Sequence, residues 1–164
     1  MGKTVICPGS FDPVTYGHID IITRAANIFD HVIVGVFVNM AKKPVFDIEE
    51  RISFLQRTVG HLPNVEIVGF DGLLANCAKD CGATAVVRGL RAVSDFEYEF
   101  QMALTNRKLN PELDTVFLAS DAKYTYLSSS IVKNVASFGG DITNFVPECI
   151  HDEIFERLNT KGKH

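Results

Sequence analysis

The sequence predicts an α/β fold: a doubly wound, Rossmann-like sheet of five parallel strands with helices on both faces. Short apolar runs alternate with segments of helical period along the whole chain, the pattern of repeated βαβ units. The runs are nearly continuous, as in Val32 to Val38, which suits strands covered on both faces. With 164 residues, 46% of them hydrophobic, the chain is long enough for one domain with its own core and short for two. Residues 1–164 are therefore expected to form a single domain.

The elements follow in order. The β-branched run Thr4, Val5, Ile6 predicts a first strand near 3–7, and Ile19, Ile22, Ala26 and Phe29 recur at helical period, predicting a helix near 17–29. A strand near 32–38 precedes a helix near 47–59, which opens on Asp47 and Glu50 at capping-box spacing. Strands near 65–69 and 85–88 flank a helix near 73–81. The next helix, near 94–109, has the same capping spacing in Ser94 and Glu97. A last strand near 114–118 leads to helices near 128–138 and 147–158; Gly139-Gly140 ends the first of these and Pro147 suits the first turn of the second.

Composition narrows the function. A formal net charge of −4 leaves no basic stripe to neutralise a run of phosphates, so nucleic acid is not expected as a partner. The longest apolar stretch is strand length, far below the roughly 20 residues that cross a bilayer, and no signal-type apolar region follows Met1, so a cytoplasmic protein is expected. Cys7, Cys77, Cys81 and Cys149 are scattered without CxxC spacing, which reads as reduced structural thiols and no metal site.

The most informative segment is Pro8 to His18, PGSFDPVTYGH, between the first strand and the first helix. Such a loop lies in the crevice beyond the carboxyl ends of the strands, where α/β sheets bind ligands. The helix start adds free backbone N–H groups and a positive dipole end that favour phosphate, with the His18 imidazole in the same field. Other strand ends add matching chemistry: Lys42 and Lys43, then Leu73 and Leu74, then Arg88, Gly89 and Arg91, then Tyr124 and Ser128-Ser129-Ser130. Arg88 closes its strand, so its guanidinium is expected to emerge at the sheet edge as a planar fork suited to phosphate, with the serines forming a second anion nest. The glycines have neither Walker A nor GxGxxG spacing, and no GxSxG elbow is present, so a P-loop kinase, an ordinary dehydrogenase and a serine hydrolase are all disfavoured.

Four segments in order, PGSFDPVTYGHIDII, KKP at Lys42 to Pro44, VRGLRAVSDFEYEFQMA from Val87 and YTYLSSSIVK from Tyr124, resemble the bacterial phosphopantetheine adenylyltransferases of the nucleotidyltransferase superfamily. The resemblance spans about Lys3 to Leu158, with Ser10 where Thr is frequent and Tyr16 where Asn is frequent. It implies transfer of AMP from ATP to 4′-phosphopantetheine, giving dephospho-CoA and pyrophosphate by direct displacement, the penultimate step of coenzyme A synthesis. It further implies Mg²⁺ with ATP, a homohexamer, and feedback inhibition by coenzyme A.

Carried over by position, the resemblance makes His18, Lys42 and Arg91 catalytic. Ser10 would touch both substrates, with Phe11 and His18 on the ATP side. Gly89, Leu90, Arg91 and Glu99 would frame the nucleotide, and Tyr124, Thr125, Tyr126, Leu127, Ser128, Ser129 and Ser130 would hold its base and phosphates. Lys42, Leu74 and Arg88 would bind phosphopantetheine. Two alternatives stand beside this reading: a nicotinamide mononucleotide adenylyltransferase, which typically has His where this chain has Thr15, and a module that senses ATP or coenzyme A without turnover.

Overall fold

In the computed structural model, which describes residues 2–38, 41 and 43–160, a five-stranded sheet has the order β3-β2-β1-β4-β5. Its strands are β1 (Thr4–Gly9), β2 (His31–Phe37), β3 (Val65–Phe70), β4 (Ala85–Leu90) and β5 (Asp114–Ala119). Every neighbouring pair is parallel. The order reverses between β1 and β4, so the chain winds outward in both directions and leaves a crevice at that switch point.

The helices are α1 (Tyr16–Ile28), α2 (Ile48–Val59), α3 (Leu74–Asp80), α4 (Val93–Leu109), α5 (Ser129–Ser137) and α6 (Glu148–Leu158), with a 3₁₀ turn at Ala122–Tyr124. Strand residues alternate between two cores because successive side chains point to opposite faces. Val5, Cys7, Val32, Val34, Val36 and Val87 join the larger core, to which α1, α2, α5 and α6 contribute. Ile6, Ile33 and Val86 face the other way, with Ala78 of α3 beside them. No helix among the described residues is long and apolar enough to cross a membrane.

Local chemistry sets most boundaries. Asp47 caps α2 in the expected capping box with Glu50. At the end of α5, Gly139 takes φ 73° while its N–H and that of Gly140 bond back to Ala136 and Val135, a Schellman closure. Ser94 and Glu97 do not form the expected box: α4 begins at Val93, one residue before the expected 94, with Ala92 at its N-cap and no side-chain cap. The expected strand near 85–88 also continues through Gly89 and Leu90, because these pair with Leu118 and Ala119.

Candidate active site

The site is built at the switch point from the loop after β1. Phe11 sits at φ 49°, a left-handed conformation that is strained for a side chain of its size. Its buried ring packs edge-on against the His18 imidazole, with centroids 5.1 Å apart. Thr15 caps α1, and His18 occupies the third helical position, where Glu or Gln completes an ordinary capping box. The Thr15 N–H donates to His18 Nδ1 at 3.0 Å, and the Thr15 hydroxyl lies 3.2 Å from the same nitrogen. A backbone N–H can only donate, so Nδ1 is the acceptor and a neutral His18 carries its proton on Nε2. Burial, reinforced by the Arg88 and Arg91 charges, pushes the His18 pKa down to about 4. The imidazole is thus a neutral, oriented donor at neutral pH.

Glycine controls how closely this helix approaches the sheet. A Cβ on Gly89 would lie 2.9 Å from Ile21 Cγ1, so only glycine lets α1 rest against β4 at this height.

Two cavities meet across one wall. The first, of about 280 Å³, is lined by Phe11, His18, Arg91, Tyr124, Ser128 and Ser129 among others. The second, of about 430 Å³, is more apolar and includes Leu73, Leu74, Tyr98, Met102 and Leu109. Pro8, Gly9, Ser10, Arg88 and Glu99 line both. Ser10 also opens onto a third cavity of about 430 Å³ that contains Lys43, Arg51, Ser130 and Lys133.

The cations here are already engaged. Alternation along β4 turns Arg88 to the face of α4, where its Nε and Nη2 bond both oxygens of Glu99 at 2.9 and 2.7 Å. Its Nη1 donates to the Pro8 carbonyl at 2.7 Å. The planar fork expected at the sheet edge is therefore engaged by a carboxylate and a carbonyl, leaving two of the five guanidinium N–H groups for a ligand. Although burial opposes it, the bonds and charge of Glu99 hold the Arg88 pKa above its ordinary value. Arg91 grips Asp95 and donates to the Leu127 carbonyl at 2.9 Å, tying the loop after β4 to the approach to α5.

The serine triplet divides its tasks. Ser128 caps α5 by accepting from the Ile131 N–H, and Ser129 Oγ donates to the Pro13 carbonyl at 2.7 Å. With the Ile131 N–H capped, the N–H groups of Ser129 and Ser130 in the first turn of α5 have no partner within the helix, and are placed to meet an anion. Tyr124 stacks on Tyr16 at 6.2 Å, while Tyr126 packs against Phe145.

Of the residues singled out in sequence, Ser10, Phe11, His18, Arg88, Gly89, Arg91, Glu99, Tyr124, Leu127, Ser128 and Ser129 line the first cavity, and Leu74 the second. Ser130 opens onto the third. Leu90, Thr125 and Tyr126 line none of the three. Lys42 lies outside the described residues. Sequence reasoning assigned Asp12 no role beyond its place in the loop and did not single out Arg51; both are buried and line the third cavity. It also overlooked the bond that orients His18, although Thr15 at capping distance ahead of it was a readable signal.

Comparison with known proteins shows the family and the fold. The cytidylyltransferase-like family matches residues 6–135. Curated relatives called phosphopantetheine adenylyltransferase include one from Caldanaerobacter subterraneus, 56% identical over 95% of this chain and 98% of the relative. Another, from Lachnoclostridium phytofermentans, is 53% identical over 97% and 98%. Among solved structures, the Plasmodium falciparum nicotinic acid mononucleotide adenylyltransferase in complex with NaAD shares the fold at TM-score 0.67, with 14% identity over 95% of this chain and 96% of that one. The chain belongs to the cytidylyltransferase-like family of the nucleotidyltransferase superfamily, and within it to the phosphopantetheine adenylyltransferases.

Proposed function

We infer that the protein, as one catalytic domain over residues 1–164, transfers AMP from ATP to 4′-phosphopantetheine, giving dephospho-CoA and pyrophosphate. The observation that carries this reading is the pair of cavities sharing the wall of Ser10, Arg88 and Glu99. A nucleotide in the polar cavity and a pantetheine arm in the apolar one would bring their phosphates together at that wall. An oxygen of the 4′-phosphate attacks the α-phosphorus as the bond to the bridging α–β oxygen breaks, and pyrophosphate leaves with that electron pair. The nucleophile is already an anion, so no general base is required and the protein contributes positioning and charge stabilisation.

In this reading the neutral Nε2–H of His18 donates to a non-bridging α-phosphate oxygen. Ser10, Phe11, Gly89, Leu90, Arg91, Glu99 and residues 124–130 serve the nucleotide. Arg91 and Lys42 neutralise developing charge, and Ser10, Lys42, Leu74 and Arg88 hold phosphopantetheine. Mg²⁺ would arrive on the ATP phosphates, shielding their charge: among the described residues no group of three or more His, Cys, Asp or Glu could hold a metal ion. Coenzyme A carries the same pantetheine arm and would compete for the second cavity as a feedback inhibitor.

The reading also makes the chain a cytoplasmic subunit of a homohexamer. Self-association is supported by an apolar stripe on α4, where Val93, Phe96, Phe100 and Leu104 are 90%, 46%, 47% and 55% exposed.

A coupled pyrophosphate assay tests the function. Release is expected only when ATP and 4′-phosphopantetheine are both present, and His18→Ala should lower kcat by about 10²-fold while changing ATP affinity much less. Equal release with nicotinamide mononucleotide, or none with any acceptor, would overturn the reading.

A further inference from the structure

Two buried charged residues with no role in the chemistry above join the loop after β1 to the start of α2 in both directions. The Asp12 carboxylate, 8% exposed, accepts the N–H of Phe46 on Oδ1 at 2.9 Å and that of Val45 on Oδ2 at 3.0 Å. Lys133 lies 3.4 Å from Oδ2. In return Arg51, 2% exposed, donates from Nη1 to the carbonyls of Ser10 at 2.8 Å and Phe37 at 3.2 Å, and from Nε to that of Asp47 at 3.3 Å. Among the described residues Arg51 pairs with no carboxylate.

Burying a guanidinium against carbonyls alone is a costly way to fill space, since an apolar side chain of similar volume would pack there at least as well. What the charge achieves is geometric. Phe37 ends β2 and Ser10 directly follows β1, so one planar group holds two neighbouring strand ends together at the rim where the cavities open. Asp12 meanwhile anchors Val45 and Phe46, which directly follow Lys43 and Pro44 of the third cavity. Ser10, which lines all three cavities, lies between the two anchors.

We propose that Asp12 and Arg51 form a reciprocal clamp that positions the Ser10 loop against the end of β2 and residues 43–46, and that both are positioning residues for phosphate transfer. The proposal rests on the adenylyltransferase reading, because it is the meeting of two phosphates at the shared wall that demands this register. Neither residue touches a substrate in it. Their effect is on the alignment of reacting groups, where a shift of about 1 Å can cost as much as 10²-fold in rate.

The test measures kcat and both KM values for Arg51→Met, Arg51→Lys, Asp12→Asn and the double variant Asp12→Asn/Arg51→Met. Circular dichroism and urea unfolding establish the folded fraction under assay conditions. Folded Arg51→Met and Asp12→Asn should each lose about 10-fold or more in kcat, with the KM for ATP changed less than about threefold. Arg51→Lys should not rescue, because a single ammonium cannot reproduce the planar fork between two carbonyls. The double variant should lose little more than the worse single one, as expected for two halves of one device. Rescue by Lys, additive losses, kcat within twofold of wild type, or a loss accounted for by the unfolded fraction would each overturn the clamp; so would failure of every variant to fold, which would leave a structural role. Absence of pyrophosphate release by the wild-type protein would instead sink the adenylyltransferase reading.

Discussion

Lowering the pH should leave the His18 imidazole neutral far below the range where a free histidine charges. At its ordinary value of 6.5 an imidazole is about 90% protonated at pH 5.5, whereas one held at about 4 is only about 3% protonated there. The cause is specific. Protonation would put a hydrogen on Nδ1, directly opposing the Thr15 N–H that now donates to it, in a setting already short of water and facing Arg88 and Arg91.

The sign of the stability effect follows. The folded pKa lies below the unfolded one, so between pH 6.5 and 4 the unfolded chain binds the extra proton. The contribution is fully present above pH 6.5 and is lost as the pH falls to about 4, up to a ceiling of about 3 kcal/mol for a shift of this size. Phosphate monoesters titrate near pH 6, which would blur an activity profile, so the measurement belongs on the free protein. Imidazole ¹H–¹⁵N NMR, assigned against His18→Asn, should show the Nε2–H tautomer and no titration above pH 5. Urea unfolding of wild type against His18→Asn should show a difference that shrinks as the pH falls. A midpoint near 6.5, or an Nδ1–H tautomer, would refute the argument.

Breaking the Arg88–Glu99 pair from either side should not be equivalent. Glu99 is 10% exposed and Arg88 35%, so Arg88→Met, which strands the more buried carboxylate, should cost about 2 to 4 kcal/mol of unfolding free energy at pH 7, and Glu99→Gln about 1 to 2. The reverse order in urea titrations would contradict the assignment of burial. Gly89→Ala should cost about 1 to 2 kcal/mol by driving a methyl into Ile21, and its combination with Ile21→Ala should cost less than the sum. Additive unfolding energies would show that the two residues do not press on each other.

Strand and helix positions were readable in the chain because they follow local periods and caps. The run Val32 to Val36 is buried throughout β2, and Asp47 with Glu50 starts α2 where the capping pattern puts it. Ser94 with Glu97 carried the same pattern and failed, since α4 begins at Val93, where the 90% exposed side chain and the uncapped Ala92 show that local spacing alone does not select a helix start.

The strand-end cluster was also legible, because topology sends every loop after a parallel strand to one rim. The order β3-β2-β1-β4-β5 and the shared wall of two cavities bring Ser10, His18, Arg88, Gly89, Arg91, Ser128 and Leu74 of that cluster to one rim. Arg51 was not legible. On α2 it reads like any charged residue, and only the packing of that helix against two strand ends turns it inward to Ser10 and Phe37.

By itself, then, the sequence determined where most strands and helices lie and which loops gather at the strand-end rim, because periodicity, caps and alternation act over a few neighbouring residues. Tertiary structure alone decided what their side chains bind: that Arg88 closes on Glu99, that Asp12 accepts from Val45 and Phe46, and that Arg51 donates to Ser10 and Phe37. Such bonds depend on distances between segments far apart in the chain, and on the exclusion of water when those segments meet.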